Sequence, residues 1–113
     1  CKVCNEPHLP NQKTCYKHYL SEMARNHLGS TKYWEDLDEL FKKQDGKCAI
    51  SGIPLQIGVN ASIDHIKPLS KHPETKNQLT NLQWVESNIN RMKLDMEFED
   101  FINLISIILK HNS

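Results

Sequence analysis

The sequence predicts a small α+β domain: two short strands and a helix in mid-chain, flanked by further helices, behind a cysteine-containing N-terminal segment. Three observations support this. Apolar residues recur at helical spacing in residues 16–28, from Trp34 to Phe41, and in residues 98–110. Two short apolar runs, residues 61–66 and 82–85, are separated by a long polar stretch, as strands joined by a loop would be. Cys1, Cys4, Cys15 and His18 all fall in the opening segment, in two pairs either side of a Pro-containing loop. The organisation expected is a zinc-binding segment and helix (1–29), a linking helix (30–45), a strand-strand-helix core (46–94) and a C-terminal helix (95–113), all in one compact domain.

In the opening segment the Cys1-x2-Cys4 spacing lets a tight turn present two thiolates to one ion. Cys15 and His18 can complete a tetrahedron from the start of a helix, which predicts a structural zinc. Disulfides and free buried thiols are the competing readings, and disulfides need an exporting context that nothing in the sequence provides. His8 is an alternative fourth ligand without a paired spacing. Because Cys1 and not Met opens the chain, further residues are expected upstream. Tyr19, Leu20, Met23 and Leu28 then mark the first helix, with Gly29 as its stop. Ser30 or Thr31 can cap a second helix carrying Trp34, Leu37, Leu40 and Phe41 on one face. Asp45-Gly46 ends it.

Residues 47–55 read as a tight hairpin around Ser51-Gly52, and residues 56–60 as a loop. A strand over 61–66, a polar loop over 67–80, a strand over 82–85 and a helix over 86–94 complete the core. Trp84, between apolar neighbours, reads as core. His27, His72 and His111 read as loop histidines.

Composition bounds the function. With 113 residues, 38% hydrophobic and 25% charged, the chain has the balance of a soluble globular domain with a modest core. The longest apolar segment, residues 102–109, is broken by Asn103 and Ser106 and is too short to span a membrane. No signal-peptide pattern is present, so a cytoplasmic location is expected. The formal net charge is zero, which counts mildly against a nucleic-acid partner. Its distribution matters more: Lys67, Lys71, Lys76, Arg91 and Lys93 surround the core motif, while acids gather at residues 35–39 and 95–100. Ordinary solvated faces would give the same pattern.

The chemistry concentrates in SIDHIKPLS (62–70) and NLQWVESNINRMK (81–93). Asp64 and His65 close a strand; Asn81 precedes the next strand; Asn90 lies on the following helix. A neutral imidazole can accept a proton near neutral pH. Carboxylate and amide oxygens suit a hard cation such as Mg2+ or Mn2+. Those are the parts that phosphodiester hydrolysis needs. Taken singly, each residue has a bland reading: a surface histidine, a loop-bracing aspartate, a turn asparagine, a solvent-facing asparagine. Neighbouring strand residues also point to opposite faces, so Asp64 and His65 can share a site only where the strand ends or twists. Pro68 favours such an ending.

With GKCAISG, IDHIKPLS, TNLQ and the Asn90-x2-Lys93 pattern in that order, residues 46–93 resemble the HNH endonucleases of the ββα-metal superfamily, as found in phage and bacterial homing and restriction enzymes. The resemblance implies that His65 is the general base, that Asp64 and Asn90 hold the catalytic Mg2+ or Mn2+, and that Asn81 braces the loop and helps orient the base. It implies a DNA substrate, double-stranded, cut to 5′-phosphate and 3′-hydroxyl ends, in a bacterial cell or phage-infected host. Lys67, Arg91 and Lys93 are candidate DNA phosphate contacts. Many relatives also carry a zinc held by two Cys pairs flanking the motif. Here those positions are Cys48 with Ser51, and Glu86 with Ile89, so that zinc is not expected and Cys48 reads as a buried thiol.

Two alternatives come from other classes: a zinc-containing DNA-binding module whose nuclease site is inactive, and a zinc-stabilised protein-interaction domain. The C-terminal helix carries Phe98, Phe101, Ile102, Ile105, Ile108 and Leu109 on one stripe, with Leu104 and Ile107 beside it. Either a homodimer or the N-terminal helices must cover that surface.

Overall fold

The computed structural model describes residues 15–113. Cys1 and Cys4 lie outside the described residues, and so does most of the zinc segment. Over the described residues the chain is a small mixed α+β fold with four helices and one two-stranded antiparallel sheet.

Helix α1 (Tyr16–Leu28) forms where its apolar spacing predicts. Gly29 ends it at φ 86°, its N–H bonded to the Arg25 carbonyl; a left-handed residue is the usual helix stop, and glycine adopts it without steric cost. Ser30 caps a single 3-10 turn, Thr31–Tyr33, from which α2 (Trp34–Lys43) continues, so α2 begins later than the capping residue suggests. The Tyr16 hydroxyl donates to the Asp38 carboxylate and ties α1 to α2.

The 47–55 segment does not form two strands. It closes on one bridge, Lys47 with Pro54, stiffened by the Cys48 N–H on the Ile53 carbonyl. Ala49 N–H turns instead to strand β2 (Leu82–Glu86), where it bonds the Trp84 carbonyl. Gln44 does the same from the end of α2: its amide accepts from Trp84 N–H and donates to the Trp84 carbonyl. Together they occupy the open edge of β2, which would otherwise invite pairing with another chain.

Strands β1 (Ala61–His65) and β2 (Leu82–Glu86) pair with Ser62 opposite Val85, Asp64 opposite Gln83 and His65 opposite Leu82. Ala61, Ile63, Leu82 and Trp84 face a core shared with Leu20, Ala24 and Leu28 of α1 and Leu37 of α2. Trp84 is fully buried, its indole N–H on the Leu37 carbonyl and its ring edge-on to Phe41. Short helix α3 (Ser87–Lys93) packs on both strands. It lies across the other face, because Asn90 bonds Ser62 and Lys93 bonds Asp64. That second cover explains why Asp64 is buried although strand alternation turns it away from the main core.

The 67–80 stretch contains two 3-10 turns, Pro73–Thr75 and Leu79–Asn81. It touches the approach to the last helix through His72 Nε2 to Glu97 (2.8 Å) and Ser70 Oγ to Asp95 (3.2 Å). Helix α4 (Phe98–His111) buries only Phe101. Phe98, Ile102, Leu104, Ile107, Ile108 and Leu109 stay exposed, so among the described residues α1 and α2 do not supply the cover that one reading assigned to them. No helix among the described residues is long and apolar enough to cross a membrane.

Candidate active site

At the C-terminal end of β1 a cleft of about 240 Å³ opens, bordered by Ile63, Asp64, His65, Pro68, Leu69, Ser70, Asn90, Leu94 and Asp95. Three of the four expected site residues thus border one space. Asp64 and His65 leave the strand on opposite faces, the aspartate beneath α3 and the histidine toward α1, yet both reach this cleft because the strand stops at His65.

Asn81 stands behind the cleft. It is buried; its side-chain oxygen accepts from Lys67 N–H (2.8 Å), and its amide donates to the Lys67 carbonyl (3.0 Å) and Thr75 Oγ1 (3.0 Å). Its own carbonyl accepts from Ile66 N–H. Through its side chain and its backbone carbonyl together, this one residue pins Lys67 and Ile66, the two residues that follow His65, to the start of β2. A buried amide with three partners of its own is held in one orientation.

Asp64 is 3% exposed, and each carboxylate oxygen accepts one hydrogen bond. Gln83 Nε2 donates to Oδ2 (2.8 Å) and Lys93 Nζ to Oδ1 (3.1 Å). Lys93 is 1% exposed and also donates to the His65 carbonyl (3.1 Å). This corrects the reading of Lys93 as a phosphate contact. Its ammonium is the buried counter-ion of Asp64, because a carboxylate under α3 needs a paired charge. Lys67 and Arg91 are exposed, as phosphate contacts would be. Arg91 borders a second cleft of about 350 Å³ with Ser62, Ser87 and Asn90.

Asn90 donates through Nδ2 to Ser62 Oγ (2.9 Å) and the Ile63 carbonyl (3.0 Å). Both bonds use the nitrogen, which turns the amide oxygen to other partners. Asp64 and Asn90 both border the cleft, and a carboxylate and an amide oxygen are donor types that a hard cation prefers. Among the described residues no three His, Cys, Asp or Glu side chains cluster closely enough to hold a metal by themselves. An ion here would draw the rest of its shell from water and substrate.

His65 is half-buried, and its imidazole pKa lies below the ordinary value. Burial is the main cause; the Asp64 charge pulls the other way, and the Lys93 charge adds to the depression. Sequence reading missed the neighbour of this ring. His27, read as a loop residue, lies on α1 with its ring centroid 5.4 Å from that of His65 and the planes at 52°. It too is depressed, by burial and then by the His65 charge. Gln83 is a further member that went unassigned. In the sequence Gln83 is an ordinary strand residue; only its register opposite Asp64 gives it a role.

Cys15 is buried, and its sulfur lies 3.1 Å from His18 Nδ1, so these two donors meet at the start of α1. Cys48 is a buried thiol whose sulfur accepts from Ser51 N–H and Glu86 N–H. Burial pushes its pKa up, but hydrogen bonds from Ser51, Glu86 and Ile50 outweigh that and leave it lowered. The Glu86 carboxylate caps α3 by accepting from Asn88 and Ile89 N–H. Hydrogen bonds therefore join the 48–51 turn to the start of α3.

No family model matches the chain, and no curated protein matches it.

Proposed function

We propose that the protein is a metal-dependent DNA endonuclease with an HNH-type ββα-metal core. The carrying observation is the meeting of Asp64, His65 and Asn90 at one cleft, with Asn81 bracing the loop that leaves His65. Asp64 and Asn90 would hold Mg2+ or Mn2+, which when bound supplies positive charge to the scissile phosphate and the leaving oxygen. His65 accepts the proton of the attacking water. Its depressed pKa keeps it unprotonated, and so able to act, at and somewhat below neutral pH. Lys67 and Arg91, both exposed, offer phosphate contacts on a double-stranded substrate. The products carry 5′-phosphate and 3′-hydroxyl ends. Cys15 and His18 fit half of a structural zinc site whose other half is Cys1 and Cys4. A cytoplasmic setting, in a bacterial or phage-infected cell, belongs to the same proposal.

The test is conversion of supercoiled plasmid to nicked or linear DNA with magnesium, manganese or EDTA, repeated across pH. Cutting that needs the metal is expected. The neutral imidazole is the active form, and its pKa is depressed, so the acid limb of the profile should fall below the ordinary histidine value of about 6.5. A limb at or above that value would argue against His65 as base.

A second reading is a DNA-binding module with an inactive site. Lys93 favours it, because an ammonium already neutralises Asp64. It predicts duplex binding without cutting at any metal concentration.

We also propose that a second copy covers α4. Phe98, Ile102, Ile105 and Leu109 follow a four-three-four spacing, the seam of a helix pair. Antiparallel pairing sets Glu99, in the first turn of one helix, toward Lys110 in the last turn of the other. Sedimentation should give a dimer at micromolar concentration that Ile102→Lys dissolves; a wild-type monomer would remove the idea.

A further inference from the structure

The end of α3 breaks two local rules at one residue. Lys93, Leu94, Asp95 and Met96 form a β-turn closed by Met96 N–H on the Lys93 carbonyl (3.0 Å). Leu94 is its first central residue, with φ 50° and ψ −128°. Those are the angles of a type II′ turn, where glycine dominates because a side chain at positive φ is crowded. Helix ends favour glycine for the same reason. A leucine here is therefore strained.

It gains no burial in return. Leu94 is 72% exposed, more than any other large apolar side chain among the described residues. Nor is it on a remote surface: it borders the cleft with Asp64, His65 and Asn90. A side chain that costs backbone strain and leaves most of its surface in solvent points to a use outside the fold. Strained residues persist where a structure over-determines them, and they cluster at ligand sites.

We propose that Leu94 is an apolar wedge, inserted into the base step beside the phosphate that the cleft receives. DNA-binding proteins open duplex steps by inserting leucine and similar side chains, and the cost is lowest at easily unstacked steps. The inference rests on the nuclease reading of the cleft and narrows its substrate to duplex with a deformable step near the cut. Opening that step would bend the backbone toward Asp64 and His65.

The test uses duplexes carrying 2-aminopurine at successive positions, with EDTA present so that nothing is cut. Wild-type protein should raise aminopurine fluorescence at a defined step. Leu94→Gly and Leu94→Ala should both lose that signal and bind about tenfold more weakly. The two variants separate strain from insertion. Leu94→Gly relieves the turn and should melt about 4 °C or more above wild type, whereas Leu94→Ala keeps the strained β-carbon and should not. A more stable protein that has lost DNA opening is a result that a packing role for Leu94 would not produce. Unchanged fluorescence and affinity in Leu94→Gly would overturn the proposal. So would a change in sedimentation alone, which would mean the side chain meets another protein surface. If wild type opens the step but never cuts DNA with metal, the nuclease reading fails and the wedge stands.

Discussion

Replacing His65 by alanine should lower plasmid cutting by about 10²- to 10⁴-fold, the range that a positioned general base contributes. Duplex affinity should stay at the wild-type level. The hydrogen bonds around residue 65 do not depend on its imidazole, whose ring contact with His27 is the packing that is lost. The bond that Lys93 makes to residue 65 goes to its backbone carbonyl, and the Asn81 brace acts on residues 66 and 67. Asp64 and Asn90 keep their partners on β1, β2 and α3. Circular dichroism and melting should therefore match wild type, and the loss should appear in kcat. The measurement is the initial rate of supercoiled plasmid loss with magnesium or manganese, beside fluorescence anisotropy of a labelled duplex. Cutting at the wild-type rate would remove His65 from the mechanism. Loss of binding together with cutting would mean that the ring contacts DNA and not water.

The largest effect on stability should come from Lys93→Met. Methionine roughly keeps the volume but leaves the Asp64 carboxylate buried with Gln83 as its remaining partner. Breaking one side of a buried pair costs about 3–5 kcal/mol. For a chain of this size that is a fall of roughly 10–20 °C in melting temperature. The same carboxylate is the proposed cation ligand, so a second effect follows. Manganese should stabilise Lys93→Met more than wild type, since in the variant the ion supplies a missing positive charge and in wild type it competes with the ammonium. Melting curves across a manganese titration check both effects. A variant melting within a degree of wild type would show that the pair is not a buried ion pair in solution. Equal stabilisation of both proteins would place the metal away from Asp64.

Several elements were legible because they depend on neighbours in the chain. The spacing of Tyr19, Leu20, Met23 and Leu28 marked α1, Gly29 marked its end, and the two strand-like segments marked β1 and β2 to within a residue. Where local signals competed with long-range bonds, they failed. Residues 47–55 carry hairpin chemistry at Ser51-Gly52, yet the segment makes one bridge and spends other backbone bonds on β2. Ser30 is a good cap, but the chain makes a 3-10 turn before α2 begins.

Residue types and their order set which chemistry was on offer: an imidazole beside a carboxylate at the end of a β-branched run, and two asparagines spaced to return to it. Periodicity and residue type are local properties and can be read along the chain. Which charges are spent and which face the cleft came from packing. Lys93 and Arg91 look alike in sequence, but α3 lies on the sheet in a rotation that buries one ammonium on Asp64 and leaves one guanidinium outside. The packing of α1 against the sheet brought His27 to His65. The turn that closes α3 set Leu94 at the rim in a conformation no leucine prefers. The rotation of α3 and the meeting of His27 with His65 depend on the relative placement of elements far apart in the chain, which is fixed by burying the shared core.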